Sequence, residues 1–168
     1  MKKILLLLII VLSATTLHAQ YNDMEPRPDY LDAFKKSGQN ITWSRVVVTD
    51  KERTELIAEI AMRVSVSTIV EDMILGKIED FHPGKGASFS TGRLPWDGSV
   101  VKANVVYELT DNGYIVKVSN IMYQNDALDS DYSSIYTTIY NKQGELRWRG
   151  DGDLRYFDNA FCDILLIE

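Results

Sequence analysis

The segment 81–98, FHPGKGASFSTGRLPWDG, contains the residue types that binding and catalysis most often use. His82, Lys85 and Arg93 suit recognition of an anionic group, and Trp96 offers an aromatic contact to a partner. A phosphate-binding loop needs Gly-x-x-x-x-Gly-Lys-Ser/Thr running from a strand into a helix. Here the lysine lies between two glycines, and later glycines and a proline interrupt any helix. We therefore interpret the segment as a connection between strands, with anion or partner contact as the alternative.

The rest of the sequence offers no complete catalytic or metal-binding set. A Ser-His-Asp site needs a general base, and His82 is the only histidine outside residues 1–19. Cys162 is expected to be inert inside a helix. Asp126, Asp129 and Asp131 form an acidic cluster. It lacks the glycine and the closing glutamate of a calcium-binding EF-hand loop. The sequence thus predicts a non-enzyme without cofactors. A small enzyme that uses the His82 loop is the alternative.

Residues 1–19 have the order of a secretory signal peptide. Lys2 and Lys3 precede an apolar run that is too short for a permanent membrane anchor, and a cleavage site follows Ala19. Thr15 stands where a lipoprotein would have its cysteine. The sequence therefore predicts a soluble exported protein, periplasmic or secreted, without stable membrane insertion once the signal is removed.

Charge and cysteine content narrow the class of partner. The full chain has 18 Lys and Arg against 24 Asp and Glu, for a formal net charge of -6. Removing the two signal-peptide lysines leaves 16 minus 24, or -8. Because phosphate backbones and anionic lipids repel an acidic chain, we expect no nucleic-acid partner. The single cysteine excludes an internal disulfide.

Composition divides the mature chain into a tether and one domain. Residues 20–40 are polar and contain two prolines, which predicts a tether with one helical turn over 29–36. The domain, residues 41–168, is predicted to begin with a β-branched strand over 41–48. Thr49-Asp50-Lys51-Glu52 then has the spacing of a capping box in front of an amphipathic helix.

Shorter strands are expected after that helix. Two of them, over 68–72 and 77–81, are predicted to join through Leu75-Gly76. A further small strand pair is expected within 135–148, around Gln143-Gly144.

The segment 100–123 predicts a β-hairpin. Asn112-Gly113 favours a type I′ turn, in which both central residues have positive φ. That turn places Glu108 opposite Lys117, a favourable cross-strand charge pair. On the other face it aligns two apolar pairs, Leu109 with Val116 and Tyr107 with Val118.

The C-terminal segment predicts an amphipathic helix, with Asp151 or Asp153 as its cap. Its apolar stripe consists of Leu154, Phe157, Phe161, Ile164 and Leu165. Asp158 lies off that stripe, so we expect it at the surface and expect its replacement to cost little. The order strand, helix, four strands, helix predicts an α+β domain in which an antiparallel sheet is covered by two helices.

Several segments resemble one family of proteins. They are VVVTDKERTELIAEIAMRV, IVEDMILGKIEDF, VVYELTDNGYIVKVSNI and DLRYFDNAFCDILL. Together with the signal peptide they resemble domain-of-unknown-function family 4468, small exported proteins of Gram-negative envelopes. The resemblance implies a fold like that of the TATA-box-binding protein (TBP), β-α-β4-α. It supplies no activity, and the DNA binding of the fold's namesake does not transfer, since fold does not fix function.

These features favour an exported, non-catalytic binding or interaction domain of the cell envelope. The partner is expected to be a small apolar ligand or an envelope protein. Four aromatic residues are candidates for lining an apolar groove, namely Tyr107, Trp148, Tyr156 and Phe157. The alternative is that they fill a dry core. Binding of another protein at an edge of the sheet is a third hypothesis.

Overall fold

The structure is a computed structural model that describes residues 30–83, 99–125 and 131–167. Within these ranges the chain forms seven strands and four helices. In chain order they are α1 (Tyr30–Ala33), β1 (Phe34–Ser37), β2 (Asn40–Val48), α2 (Arg53–Arg63), β3 (Ser65–Val70), β4 (Met73–Phe81), β5 (Ser99–Thr110), β6 (Gly113–Asn125), β7 (Ser133–Ser134), α3 (Tyr136–Ile139) and α4 (Gly150–Leu165).

The strands form one sheet in which every pair is antiparallel. The order across the sheet is β1-β2-β6-β5-β4-β3, and the short β7 pairs with β6. The central elements β2, α2, β3–β6 and α4 therefore follow the expected β-α-β4-α order. The predicted α+β fold class, an antiparallel sheet with two amphipathic helices, is confirmed.

One face of the sheet, called here the inner face, carries the core. Alternate residues of the central strands are buried on this side, as period-2 patterning requires. Helix α2 contributes Leu56 and Ile60, and α4 contributes the predicted stripe, of which only Ile164 is partly exposed. The largest fully buried rings are Trp43, Tyr107, Tyr114, Phe157 and Phe161. The two amphipathic helices thus cover a single apolar face.

The β5–β6 hairpin forms as predicted, but its turn and register differ. Thr110 pairs with Gly113, so Asp111-Asn112 is the two-residue turn, and Glu108 lies opposite Ile115. Gly113 has φ 143°, and a Cβ there would lie 2.0 Å from a backbone oxygen of β2. This glycine is therefore required for close strand approach and not for a type I′ turn. Because the register moves by two residues, every side chain keeps its predicted face.

The predicted charge pair survives that shift. Lys117 Nζ donates to Glu108 Oε2 at 3.0 Å, now across a diagonal between the two strands. Diagonal neighbours in a sheet remain within reach of long side chains.

The β3–β4 connection also differs from the prediction. The turn is Glu71-Asp72, with Glu71 at φ 50°, and Gly76 lies inside β4. A Cβ at Gly76 would be 3.0 Å from Cγ2 of Val64, so this glycine admits the end of α2 against the sheet. The sequence alone does not distinguish a turn from close packing at Gly76, because both favour glycine.

The expected capping box does not form. Helix α2 begins at Arg53, its N-cap residue is Glu52, and no side chain caps it. Thr49 Oγ1 instead accepts a hydrogen bond from the Lys51 amide at 3.3 Å, which is a local turn. Helix α4 likewise begins one turn earlier than predicted, with Arg149 as N-cap and both candidate aspartates inside the first turn.

Two segments at the margins of the domain are more ordered than expected. Part of the predicted tether forms α1 and the edge strand β1, which pairs with β2 from Phe34 to Ser37. Ala33 is buried against the core, so the domain begins before residue 41. The segment 135–148 forms α3 and a single bridge between Tyr140 and Leu146 instead of a strand pair.

Candidate functional site

A charged cluster lies buried between β2 and α4. Asp158 is fully buried, and its Oδ1 accepts a hydrogen bond from Trp43 Nε1 at 2.8 Å. The guanidinium of Arg45 donates to both carboxylate oxygens, with Nη2 at 2.8 and 2.9 Å and Nε at 3.2 Å from Oδ1. Cys162 Sγ lies 3.9 Å from the same oxygen. Asp158 is therefore an interior anchor, which overturns the expectation that it lies at the surface.

The cluster fixes how the closing helix sits on the sheet. Trp43 and Arg45 are two residues apart on β2 and so point to the same, inner face. A charge at an inward position needs a buried partner. Arg45 is thus a sequence signal for some interior acid, but it does not identify Asp158 as that acid. Trp43 and Arg45 both donate to Asp158, which is closed to solvent. We assign the cluster a structural role.

Two tyrosines of the inner face hold the end of the chain. Tyr107 donates its hydroxyl to the Leu165 carbonyl at 3.1 Å, and the hydroxyl of Tyr114 accepts the Ile167 amide at 2.6 Å. Burial raises the pKa of both hydroxyls above the ordinary tyrosine value. These rings therefore act as packed, hydrogen-bonded core groups.

The four aromatic residues proposed to line a groove do not come together in one. Tyr107 and Phe157 are fully buried, while Tyr156 is half-buried and contacts Phe157 edge-on with ring centroids 5.9 Å apart. Trp148 is 86% exposed, with the guanidinium of Arg149 lying 5.0 Å from the centre of its ring. Tyr107, Tyr156 and Phe157 thus pack in or against the core, which is the dry-core alternative. Trp148 lies at the surface.

The predicted anion contacts fall almost entirely outside the described residues. His82 is exposed immediately after β4. Lys85, Arg93 and Trp96 lie outside the described ranges, so the hypothesis for this loop stays a prediction. Within the described ranges, no group of three or more acidic, histidine or cysteine side chains could hold a metal ion. The helices of the same ranges are all too short or too polar to cross a membrane.

A polar crevice of about 700 Å³ lies where α2 begins, beside the β5–β6 turn. Both basic side chains that line it already have acidic partners. Lys51 Nζ lies 2.7 Å from Glu59 and 3.6 Å from Glu55, and Arg53 pairs with Asp72. The hydrogen bond that Lys51 donates to Glu59 raises the pKa of Lys51. With both cations paired, the crevice is not a built anion site.

The opposite side of the sheet, called here the outer face, exposes apolar side chains. Strand register aligns five residues in one row across five strands, and they are Val46, Ile115, Glu108, Met73 and Val70. Val46 is 75% exposed and Val48, two residues further along β2, is 79% exposed. The Glu108–Lys117 pair in the middle of the face is mutually neutralised. The outer face thus carries an apolar row next to the Glu108–Lys117 pair, with the exposed Lys77 and Asn104 further along the same side.

Comparisons with known proteins found similarity to solved structures alone. No protein-family model matches the chain, and no curated protein matches it. It is similar to a solved structure described as a TBP-like protein from Parabacteroides distasonis ATCC 8503, with 16% identity over 75% of this chain and 85% of the other, at a TM-score of 0.41. It is also similar to a DUF4468 family protein from Bacteroides ovatus ATCC 8483, with 13% identity over 80% and 85%, at a TM-score of 0.45.

Proposed function

We propose that this protein is an exported, non-catalytic binding domain of the cell envelope, and that its outer face binds an apolar segment of another envelope protein. The observation that carries the proposal is the exposure of Val46 and Val48, at 75% and 79%, on a face that no described helix covers. Exposed apolar residues that are contiguous across strands are typical of interaction sites.

The local charge supports a protein partner. The outer-face row contains one acidic residue, Glu108, and that residue is paired with Lys117 at 3.0 Å. The row is apolar apart from that pair, whereas a nucleic acid or another polyanion binds through clustered Lys and Arg. The row is suited to apolar side chains, each of which gains about 25 cal/mol per Å² of apolar area removed from water.

Site-specific photo-crosslinking in cells tests the proposal. A photoreactive residue at Val46 is expected to capture one discrete envelope protein, whereas the same residue at Asp163, exposed on α4, captures none. Binding of that purified partner should then show a negative heat-capacity change, the mark of apolar burial. Val46→Asp should weaken it at least about ten-fold, which corresponds to about 1.4 kcal/mol. Equal capture at both positions, or binding that Val46→Asp leaves intact, would contradict the proposal.

Export is tested separately. Mass spectrometry of the protein recovered from the envelope should find an N-terminus near Gln20 without a lipid modification. An intact Met1, or recovery only from the cytoplasm, would contradict this part of the proposal.

A further inference from the structure

Strand β3 is an edge strand without a charge or a proline to prevent pairing. It pairs with β4 on one side and ends the strand order of the described sheet on the other. Its sequence, SVSTIV, is rich in β-branched residues and contains neither a charge nor a proline. Natural edge strands commonly carry Lys, Pro or inward-pointing charges to prevent edge-to-edge association. The single irregularity is a bulge between Val66 and Thr68.

The bulge gives β3 a self-complementary pattern. Val66 and Ile69 pair with inward-facing positions of β4, and both therefore lie on the inner side although they are three residues apart. Ile69 is 49% exposed, and no other strand of the described residues lies beside it. An antiparallel pairing of β3 with itself, centred between Ser67 and Thr68, sets Val66 opposite the Ile69 of a second copy. The inner apolar layer then continues from one copy into the other.

A concave region receives that isoleucine. About 670 Å³ of space lies beside β3, bounded by the end of α2 and by β4. Val66 lines it together with the apolar side chains of Ile78, Phe81 and Ile164. Because Val66 faces the second copy's Ile69 in this register, each copy inserts one apolar side chain into the other's concavity.

Charge selects the antiparallel orientation. Arg63 ends α2 two residues before β3, and Glu71-Asp72 immediately follows the strand. Antiparallel pairing about a two-fold axis brings the Arg63 end of each copy to the acidic turn of the other, twice per dimer. Parallel pairing would place the two acidic turns side by side. Two favourable contacts of this kind offset part of the repulsion between acidic protomers.

We propose that β3 pairs with β3 of a second copy about a two-fold axis, so that the six-strand paths of the two copies join into one continuous sheet. The occupant of this edge is another copy of the same chain, held by strand addition and by the Val66–Ile69 contacts. The outer face remains free on both protomers. The dimer and the proposed envelope partner therefore use different surfaces.

Analytical ultracentrifugation of the mature chain over a concentration series measures the dimer. Wild type should show a monomer–dimer equilibrium, and Ile69→Lys should raise the dissociation constant at least about ten-fold. Val46→Lys, at a valine of the outer face that is 75% exposed against 49% for Ile69, is the control and should leave the constant unchanged. Thermal melts check that each variant folds. A wild-type chain that remains monomeric throughout, or equal effects of the two lysines, would overturn the proposal.

Charge exchange and cross-linking test the register. Arg63→Glu and Glu71→Arg should each weaken the dimer, and the double variant should restore it.

A mixture of Ser67→Cys and Thr68→Cys chains should form a disulfide-linked heterodimer, because those positions face each other across the axis. Chains carrying Val46→Cys should not. Failure of the double variant to recover, or cross-linking at Val46 alone, would refute the pairing. Loss of partner capture at Val46 with an intact dimer would count against the proposed function only.

Discussion

Replacement of Asp158 by alanine should destabilise the domain strongly. The carboxylate accepts Trp43 Nε1 at 2.8 Å and the Arg45 guanidinium at 2.8 to 3.2 Å. Removing it leaves a cation without its counter-charge and an indole N–H without an acceptor. Breaking a buried ion pair costs about 3–5 kcal/mol. Because the Arg45 side chain keeps 13% exposure to water, the ionic part belongs at the lower end of that range. An unsatisfied indole adds about 1 kcal/mol, so we expect a loss of about 4 kcal/mol.

Urea unfolding at pH 7 measures this loss, and two further variants locate its source. Asp158→Asn keeps an acceptor for Trp43 but removes the charge, so it should cost less than alanine. In an Arg45→Met background, Asp158→Ala should cost less than in wild type, since no guanidinium remains to be stranded. The matched control is Asp163→Ala, on the exposed side of the same helix, which should change stability by less than about 0.5 kcal/mol. If Asp158→Ala and Asp163→Ala have equal effects, the anchor described here does not hold α4 on the sheet.

Three further outcomes are expected. Phe161→Ala, which removes a fully buried ring, should cost about 3–5 kcal/mol in urea unfolding, against almost nothing for Asp163→Ala. Gly113→Ala should lower the free energy of unfolding by about 2 kcal/mol or more, because its Cβ would lie 2.0 Å from a backbone oxygen. Gly152→Ala, whose Cβ meets nothing within 4 Å, should be neutral or stabilising. A larger loss for Gly152→Ala than for Gly113→Ala would contradict the close strand contact. Burial raises the pKa of Tyr107, so the stability that this hydroxyl contributes is complete below roughly pH 10, where the unfolded tyrosine ionises, and decreases above that pH. Tyr107→Phe should therefore reduce the loss of stability at alkaline pH, as measured by thermal melts over a pH series. The same pH profile in the variant and in wild type would refute this role of Tyr107.

Features with a local cause were predictable from the sequence. The stripe of α4, the strand at 41–48 and the β5–β6 hairpin each follow from spacing within a few residues. Register was less predictable. Asn112-Gly113 has a strong local preference for a type I′ turn, yet β2 passes so close to Gly113 that the glycine is needed inside the strand pair. A contact with another strand thus overrode turn chemistry.

The candidate interaction surfaces were also only partly predictable from the sequence. The β-branched run at the end of β2 predicts a strand but does not indicate which valines face outward, and whether another layer covers Val46 and Val48 depends on where every other element packs. The groove hypothesis was limited for the same reason, since four aromatic residues distant in sequence carry no local sign of whether they enclose a cavity or fill a core. The structure assigns Tyr107 and Phe157 to the core and leaves Trp148 exposed.

The sequence by itself determined the order of strands and helices, because hydrophobic period is a property of neighbouring residues. It also determined which face of the β5–β6 hairpin and of α4 is apolar. Only the tertiary structure decided that Asp158 lies inside, since its partners Trp43 and Arg45 are 115 and 113 residues away. Position on a helical wheel marked Asp158 as polar and off the stripe, but the free energy of a buried carboxylate depends on donors that another strand supplies. The order of strands across the sheet, which leaves β3 at an edge, is likewise set by long-range pairing.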